Sequence, residues 1–498
     1  MKILPKRKAI HILIAAVLCC TIVFFVSACS EQEQTEDQAY IVSFEKTDSD
    51  GTEDIYTITY SDGTTSQFTV VNGIDGEDGA DGDDLSISEI WEAYIAETGS
   101  ELSLAEFIEQ YLDLTTDYSA FVSKSLLSCV SIYAEFVETQ SVGNGGFFPG
   151  GIGGVTSSQI VQSAGSGVIY KIGGDSVYIV TNYHVVYDSA ADEDKNGGSK
   201  IGREIYCYLY GSETTPVLSG YDDEGYYQYD YGTYAIECEY IGGSQETDIA
   251  VLRADIDDVY AVNENVQAVT LAEDYHVGES VYAVGNAEGE GISATEGTVS
   301  VDNEYIGLDI DEDGTDKSYR SIRFDASIYH GNSGGGLFNA QGELIGITNA
   351  GIDGYENICY AIPVSIAEGA AENILYHYTD GDDATNGVYK ITLGVTVSAE
   401  NAKYALTETG YGKITEDIYV EAVTDDSIAT QIGLEAGDRL IAVVIDGISY
   451  EPDRTFDLGD LILTMRPSDT LQFVYERNGT EYTTAVYELT AEMFVQAE

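Results

Sequence analysis

The sequence predicts a mainly β protein built from several domains. Short runs in which apolar and polar residues alternate recur along most of the chain, and glycine-containing turns separate them. The 498 residues include 53 glycines and 39 tyrosines but only 6 prolines. Aromatic and β-branched residues favour strands, so this composition is typical of a sheet protein. A chain of this length has room for two to four domains, and 44% hydrophobic residues can fill their cores.

The charge of the chain excludes one class of partner. The sequence carries 87 acidic and 21 basic residues, which gives a formal net charge of −66. Such a surface repels the phosphate backbone of nucleic acids and anionic lipid headgroups. We therefore expect no nucleic-acid partner and interpret the charge as a solubility feature.

Residues 1–28 are predicted to be a signal segment. A basic start containing Lys2, Lys6, Arg7 and Lys8 precedes a long apolar stretch. The stretch ends in "VSAC", which resembles the lipobox of bacterial lipoproteins. The resemblance implies cleavage before Cys29, lipidation of Cys29, and a protein anchored to the outer face of a bacterial membrane. The alternative is an uncleaved membrane helix, because about 20 apolar residues can span a bilayer.

The segments before residue 117 read as small accessory elements. Residues 29–39 are a polar tether, and residues 40–84 combine a small β module with a Gly/Asp spacer. Apolar residues at helical spacing predict a helical hairpin over 85–116. We expect the hairpin to have a structural role.

The remainder divides into two larger domains. Residues 117–378 contain many short strand-like runs with glycine turns, a pattern that favours Greek-key barrels over α/β units. The acidic stretch "TDGDDATNG" at 379–387 is a linker. Residues 388–498 form a further small domain.

Four cysteines remain after the signal segment and the lipid site. They are Cys129, Cys207, Cys238 and Cys359. Cys207 and Cys238 lie in strand-like runs on either side of a Tyr/Asp/Gly-rich loop, so a disulfide between them and four buried free thiols both stay open. Their spacings do not indicate a zinc site.

The stretch "GNSGGG" around Ser333 indicates a nucleophile. A serine hydroxyl is a weak nucleophile unless a base accepts its proton. His184 follows an apolar run in "VYIVTNYHVV", and Asp248 is an isolated acid before the apolar run of "TDIAVL". A buried carboxylate can orient such a histidine, and His, Asp, Ser is the chain order of the chymotrypsin-type triad.

The motifs "TNYHVV", "TDIAVL" and "GNSGGGLFN" resemble the signature motifs of HtrA (Deg) serine proteases. The resemblance covers about 120–366, and roughly three quarters of the chain with the last domain. It implies a chymotrypsin-like double β-barrel with the active site between the barrels. It also implies that His184 is the general base, Asp248 its orienting residue and Ser333 the nucleophile, with an oxyanion hole formed by the N–H groups of Gly331 and Ser333. One departure is His330, where the family usually has proline.

The same family resemblance implies a function and partners. It predicts an ATP-independent endopeptidase that needs no cofactor or metal, forms homotrimers and cleaves unfolded or damaged proteins outside the cytoplasm. A rival hypothesis is a catalytically weak or inactive protein that serves as a peptide-binding scaffold or chaperone.

The last domain resembles PDZ domains. The resemblance rests on the pattern Gly-Leu-x-x-Gly-Asp-x-Leu, which spans residues 433–440. PDZ domains add a peptide as an extra strand and hold its C-terminal carboxylate on backbone N–H groups. The resemblance places that carboxylate site at Leu393, Gly394 and Val395. A purely structural PDZ domain is the alternative.

Two acidic loops match the first half of a calcium-binding EF-hand loop. They begin at Asp192 and Asp309. The glutamate that closes such a loop is missing, because Arg203 and Arg320 stand at the twelfth positions. We therefore predict solvated acidic loops and no metal site, with calcium binding as the alternative.

Overall fold

The structure is a computed structural model that describes residues 41–49, 53–60, 65–71, 119–142, 155–221, 225–309, 316–352, 355–379, 386–407 and 411–497. The predicted signal segment, Cys29, the tether, the Gly/Asp spacer and the helical hairpin lie outside these residues. Within the ranges given, no helix is both long and apolar enough to cross a membrane.

Among the described residues, three strands precede residue 118 and belong to a compact unit of their own. They form an antiparallel sheet in the order β1-β2-β3, with β1 (Ile41–Ser49), β2 (Glu53–Tyr60) and β3 (Thr65–Val71). The strands occupy the region where the sequence predicts a small β module.

The second compact unit begins at Tyr118 and contains two closed barrels and a C-terminal domain. A short helix, α1 (Ser119–Leu126), leads into it. The strands of the first barrel are β4 (Cys129–Val142), β5 (Val155–Gly173), β6 (Ser176–Thr181), β7 (Glu204–Leu209), β10 (Ile236–Ser244) and β11 (Ile249–Asp255). They close in the order β10-β11-β6-β5-β4-β7. Their inward side chains include Ile132, Phe136, Ile179 and Leu252, all almost fully buried.

The second barrel has the same number of strands. They are β12 (Ser280–Gly285), β13 (Ser293–Leu308), β14 (Lys317–Phe324), β15 (Gly336–Asn339), β16 (Leu344–Ile352) and β17 (Tyr355–Pro363). They close in the order β12-β13-β14-β17-β16-β15. The predicted double β-barrel is therefore confirmed.

One apolar cluster joins the two barrels. It combines Val180 and Ile249 of the first barrel with Val284 and Phe338 of the second. Apolar residues of α4 (Val364–His377), Ile374 among them, complete it. Burial of these side chains, at about 1.5–3 kcal/mol for each large one, fixes the ends of β6, β11 and β15 relative to one another.

Further helices and strands lie outside the wall of the first barrel. Among them are α2 (Tyr183–Val186) and the two-stranded ribbon of β8 (Val217–Tyr221) and β9 (Tyr227–Asp230). The helix α3 (Ile256–Val262) follows β11, and the side chain of Asp255 caps its first turn. The ribbon is packed onto the barrel through Tyr231, whose hydroxyl donates to the buried carboxylate of Glu135 at 2.6 Å.

The C-terminal domain is a sheet with two helices. Its strands are β18 (Tyr389–Lys390), β19 (Val395–Leu406), β20 (Gly412–Val423), β21 (Arg439–Ile445), β22 (Ile448–Tyr450), β23 (Thr470–Arg477), β24 (Thr480–Thr483), β25 (Tyr487–Glu488) and β26 (Val495–Gln496). The helices are α5 (Ile428–Ile432) and α6 (Asp457–Thr464). The main sheet runs β19-β20-β21-β23-β24, so β19 is at its edge.

A polar contact ties this domain to the second barrel. Arg320 of β14 forms an ion pair with Asp460 of α6, and its guanidinium lies 4.1 Å from the ring centroid of Phe456. The hydroxyl of Ser365 donates to Asp460 at 2.7 Å. The Arg320 side chain is only 5% exposed. Its ion pair with Asp460 therefore compensates the cost of burying the positive charge.

Candidate active site

His184 lies on the one-turn helix α2, directly after strand β6. The helix is anchored by the buried side chains of Val185 and Val186. Asn182 precedes the helix, is fully buried and donates from Nδ2 to the carbonyl of Asp248 at 3.0 Å. The imidazole is 30% exposed, so it is held by the barrel yet accessible from solvent.

Asp248 lies in the turn between β10 and β11 and contacts His184 twice. Its carboxylate is fully buried, and its φ is +50°, in the left-handed region. Oδ2 is 2.9 Å from His184 Nδ1, and Oδ1 accepts the backbone N–H of His184 at 3.0 Å. A carboxylate at Nδ1 favours the tautomer in which Nδ1 carries the proton and Nε2 is free to accept one.

The environment of His184 also shifts its proton affinity. Burial lowers the pKa of the imidazole, whereas the charge of Asp248 and its hydrogen bond raise that pKa more strongly. The net result is a pKa above the ordinary histidine value. His184 is thus a stronger base than a solvent-exposed histidine.

Ser333 lies in the loop before β15, and the loop packs against the end of β6. The N–H of Ser166 donates to the Ser333 carbonyl at 2.8 Å. The hydroxyl of Thr181, the last residue of β6, donates to the Ser166 carbonyl at 2.6 Å. This chain of contacts brings the Ser333 loop to the strand that leads into His184.

The Ser333 hydroxyl donates to the carbonyl of Asn349 at 3.0 Å. Among the hydrogen bonds of the described residues, none joins Ser333 to His184. The structure therefore brings His184 and Asp248 into direct contact and places the Ser333 loop against the end of β6, with the Ser333 hydroxyl directed to β16.

The backbone of residues 329–333 is held through its carbonyl groups. The N–H of Asn332 donates to the Tyr329 carbonyl at 3.0 Å, which closes a turn with Gly331 at its third position. The φ of Gly331 is +91°, as a type II turn requires there. A Cβ on Gly331 would lie 2.3 Å from the carbonyl oxygen of Asn286, so this position accepts only glycine.

Two further carbonyls determine where the neighbouring N–H groups point. The His330 carbonyl accepts the N–H of Glu288 at 2.6 Å, and the Asn332 carbonyl accepts the Thr348 hydroxyl at 2.6 Å. In a trans peptide the C=O and N–H point in opposite directions. The N–H groups of Gly331 and Ser333 therefore point away from these anchors, and within the described part of the chain they donate to no protein acceptor.

Sequence reasoning missed the residues that hold this loop. Ser166 is fully buried, donates its hydroxyl to the Gly331 carbonyl at 2.6 Å and accepts the N–H of Asn286 at 2.7 Å. Thr348, also fully buried, anchors the Asn332 carbonyl. One signal was available for Ser166: it is a serine between two glycines, in "GSG", and Ser333 also lies in a glycine-rich stretch.

The side chain of His330 is exposed, whereas its carbonyl is engaged by Glu288. The loop is therefore held through the backbone carbonyl of His330 and not through its side chain. Proline is usual at this position in the HtrA family.

The acidic loop from Asp192 is held by protein contacts. Asn196 is buried, and its side chain binds both the N–H and the carbonyl of Val137 at 3.0 Å. Asp192 accepts the Thr139 hydroxyl at 2.6 Å. Asp192 and Asn196 of the acidic pattern thus make structural contacts within the protein. Of the second acidic loop, residues 310–315 lie outside the described residues.

The four cysteines among the described residues are buried free thiols. Cys207 and Cys238 lie on the paired strands β7 and β10, and the contact with Cys207 together with burial raises the pKa of Cys238. Of the two alternatives that the sequence left open, the structure has the free thiols.

Leu393, Gly394 and Val395 line a groove of the C-terminal domain. The cavity has a volume of about 680 Å³ and is bounded by β19, by α6 and by residues of the second barrel. Its apolar lining includes Leu393, Val395 and Leu458. Over the described residues, the N–H groups of Leu393 and Gly394 donate to no protein acceptor, and β19 pairs only with β20.

The motif at 433–440 shapes the turn between α5 and β21. Gly433 ends α5 with a φ of +89°. Asp438 is buried, accepts the N–H of Glu435 at 2.8 Å and pairs with Arg477 at 2.6 Å. The motif residues thus have structural contacts of their own.

Comparison with known proteins agrees with this architecture. A family model described as a trypsin-like peptidase domain matches residues 165–347, a range that contains His184, Asp248 and Ser333. The serine protease Do-like HtrA of Lactococcus lactis subsp. cremoris (strain MG1363) is 28% identical over 389 residues, 75% of this chain and 83% of the relative. The serine protease HtrA-like of Staphylococcus aureus (strain USA300) is 29% identical over 304 residues, 59% of this chain and 33% of the relative.

Among solved structures, the HtrA-type protease AlgW with decapeptide is 25% identical and has a TM-score of 0.42. The match covers 75% of this chain and 98% of that one. The family model and the named relatives agree with the motifs from which the family was expected. The chain therefore has a trypsin-like peptidase domain, is similar to HtrA-type serine proteases, and has the activity of a serine endopeptidase.

Proposed function

We propose that His184, Asp248 and Ser333 carry out the peptide-bond hydrolysis of this protease. The observation that carries the assignment is the contact of the buried Asp248 carboxylate with Nδ1 of His184 at 2.9 Å. It leaves Nε2 as a proton acceptor next to the loop of Ser333. Two unengaged N–H groups, on Gly331 and Ser333, supply the oxyanion hole.

The reaction begins when the Ser333 hydroxyl turns from the Asn349 carbonyl to His184. Nε2 takes the hydroxyl proton while Oγ bonds to the scissile carbonyl carbon, and the carbonyl electron pair moves to the oxygen. The N–H groups of Gly331 and Ser333 stabilise that oxyanion. His184 then gives its proton to the leaving amine, and the C–N bond breaks to leave an acyl-enzyme.

Water completes the cycle in the reverse sense. It gives a proton to His184 and attacks the acyl carbon, after which the ester bond to Ser333 breaks and His184 returns the proton to Oγ. No step needs a cofactor or ATP.

The substrates in this proposal are unfolded or damaged proteins outside the cytoplasm. An extended segment enters the cleft between the barrels. The C-terminal domain works as a PDZ domain that binds peptide C-termini, with the carboxylate at the N–H groups of Leu393, Gly394 and Val395. The unpaired edge of β19 next to α6 supports this, because a peptide can add there as a further strand.

Location and assembly complete the proposal. Cys29 carries the lipid that holds the enzyme at the outer face of a bacterial membrane, and three copies form a homotrimer. Extraction into detergent, with release by Cys29→Ala, tests the anchor. The mass of the detergent-extracted protein tests the trimer.

A second candidate function is a peptide-binding scaffold with little or no catalysis. One observation favours it: the Ser333 hydroxyl donates to Asn349 and not to His184. A serine that stays in this orientation has no base to accept its proton.

Degradation of casein by the full-length protein separates the two candidates. Wild type and Ser333→Ala are compared with and without a peptide that ends in an apolar residue, and a fluorophosphonate probe reports labelling of Ser333. The protease assignment requires degradation and labelling by wild type and neither by Ser333→Ala. A folded wild type that does neither under all these conditions would establish the scaffold.

A further inference from the structure

The loop at 286–292 controls the peptide group that precedes Gly331. Glu288 donates its N–H to the His330 carbonyl at 2.6 Å, and this contact directs the N–H of Gly331 to the opposite side. Glu288 itself has a φ of +55°, an unfavourable backbone conformation for a residue other than glycine. The contact therefore needs outside support that keeps the loop in place.

Part of that support lies within the loop. Asn286 is buried, and its Oδ1 accepts the N–H of Gly291 at 2.9 Å. Its carbonyl accepts the N–H of Gly289 at 3.1 Å. These bonds close the loop on itself. Its first residue is also tied to the nucleophile loop, because Ser166 accepts the N–H of Asn286 and donates to the Gly331 carbonyl.

The remaining support comes from the first barrel. Glu213, in the segment between β7 and β8, accepts the N–H of Ile292 at its Oε1, with a distance of 3.1 Å. The Tyr133 hydroxyl of β4 donates to the Gly289 carbonyl at 3.4 Å. The hydrogen bond to Glu213 is the stronger of these two, because hydrogen bonds to a charged group are stronger than those between neutral groups.

We propose that Glu213 is a positioning residue for the oxyanion hole. Glu213 binds the N–H of Ile292 and so fixes the position of the 286–292 loop. Glu288 of this loop binds the His330 carbonyl. The N–H of Gly331, on the same peptide group, is thereby directed to the oxyanion. The inference rests on the proposed roles of Ser333 and Gly331. It assigns a function to the long segment between β7 and β10, which belongs to the first barrel while the nucleophile loop belongs to the second.

The test compares Glu213→Ala with Glu213→Gln in the full-length protein. The alanine variant removes the acceptor, and we expect kcat to fall about 10- to 100-fold with KM nearly unchanged, less than the 10²–10³ typical of losing an oxyanion donor outright. The glutamine variant keeps a carbonyl oxygen at the same reach and should stay within about threefold of wild type. Glu239→Ala is the matched control, because Glu239 is a half-exposed carboxylate of the same barrel that pairs with Arg253.

A peptide boronate gives a readout that a merely structural role would not move. It forms a tetrahedral adduct with the serine oxygen and places an oxygen in the oxyanion hole. We expect its inhibition constant to rise in Glu213→Ala by the factor by which kcat/KM falls, with the pH midpoint of kcat/KM unchanged. If Glu213→Ala does not fold, as judged by its melting curve, Glu213→Asp takes its place, since the shorter side chain cannot reach Ile292.

Two results would overturn the proposal in distinguishable ways. If wild type is active and Glu213→Ala matches Glu239→Ala in both kcat and boronate affinity, Glu213 does not position the hole. If wild type neither hydrolyses substrate nor binds the boronate, the proposed function of Ser333 fails as well.

Discussion

Replacing Asp248 by asparagine tests the contact on which the proposed mechanism depends. Asp248 accepts two hydrogen bonds from residue 184, at its ring Nδ1 and at its backbone N–H. The asparagine has one acceptor oxygen and one donor NH₂ in the same space. If the oxygen stays on the backbone N–H, the NH₂ faces Nδ1 and forces the proton onto Nε2.

A histidine protonated at Nε2 cannot accept the Ser333 proton. The corresponding aspartate-to-asparagine change in the chymotrypsin-type triad lowers kcat about 10⁴-fold, which corresponds to about 5.4 kcal/mol in activation free energy. We expect a loss of this size here, because the carboxylate is fully buried and water cannot replace it. A fluorogenic peptide assay with the full-length protein measures kcat and KM.

The pH dependence provides a second measurement in the same experiment. In wild type the charge of Asp248 raises the pKa of His184 above its ordinary value, so kcat/KM falls as pH drops through this raised pKa. In Asp248→Asn the lowering effect of burial remains alone, and the acid limb moves to lower pH. A variant that keeps more than a tenth of wild-type kcat, or an acid limb that does not move, would refute the assigned role of Asp248.

Three further substitutions have expected outcomes. Thr348→Val removes the hydroxyl that holds the Asn332 carbonyl and should lower kcat about 10- to 100-fold with little change in KM. Thr348→Ser keeps a hydroxyl and should restore activity. A valine variant as active as wild type would contradict the role of Thr348 in holding the nucleophile loop. Asp460→Ala leaves the buried guanidinium of Arg320 without its partner and should lower the free energy of unfolding by about 3 kcal/mol in urea titrations. Glu239→Ala, the control, should lower it by less than about 1 kcal/mol. Equal effects of the two substitutions would be inconsistent with a buried ion pair. Gly394→Ala places a Cβ 2.2 Å from Ser427 Cβ at a φ of +73°. It should weaken binding of a peptide C-terminus more than tenfold, measured by fluorescence anisotropy. Gly173→Ala adds a Cβ in open space and should leave this binding unchanged.

The barrels and the residues proposed to react could be predicted because their signals are local. Alternating apolar residues and glycine turns indicate strands wherever they occur. His184, Asp248 and Ser333 each lie within a short motif, and two of them directly adjoin apolar strands. The type II turn at Gly331 likewise depends on residues that are neighbours in sequence.

The hydrogen bonds that hold the nucleophile loop have no such local signal. Ser166 and Gly331 are 165 positions apart, and Glu213 and Ile292 are 79 positions apart. A serine between glycines or a glutamate in a polar loop looks the same in sequence whether or not it reaches a distant backbone. The same holds for Cys207 and Cys238, where only the structure decided between a disulfide and free thiols.

By itself, the sequence determined the β class of this protein, its similarity to HtrA-type serine proteases and which side chains have the chemistry of a serine protease. Only the tertiary structure decided that Asp248 contacts His184, that the Ser333 hydroxyl is directed to Asn349, and which residues orient the N–H groups of Gly331 and Ser333. The physical reason is that residue types and their spacing specify what a side chain can do, whereas hydrogen-bond geometry between the two barrels arises only when their shared core packs.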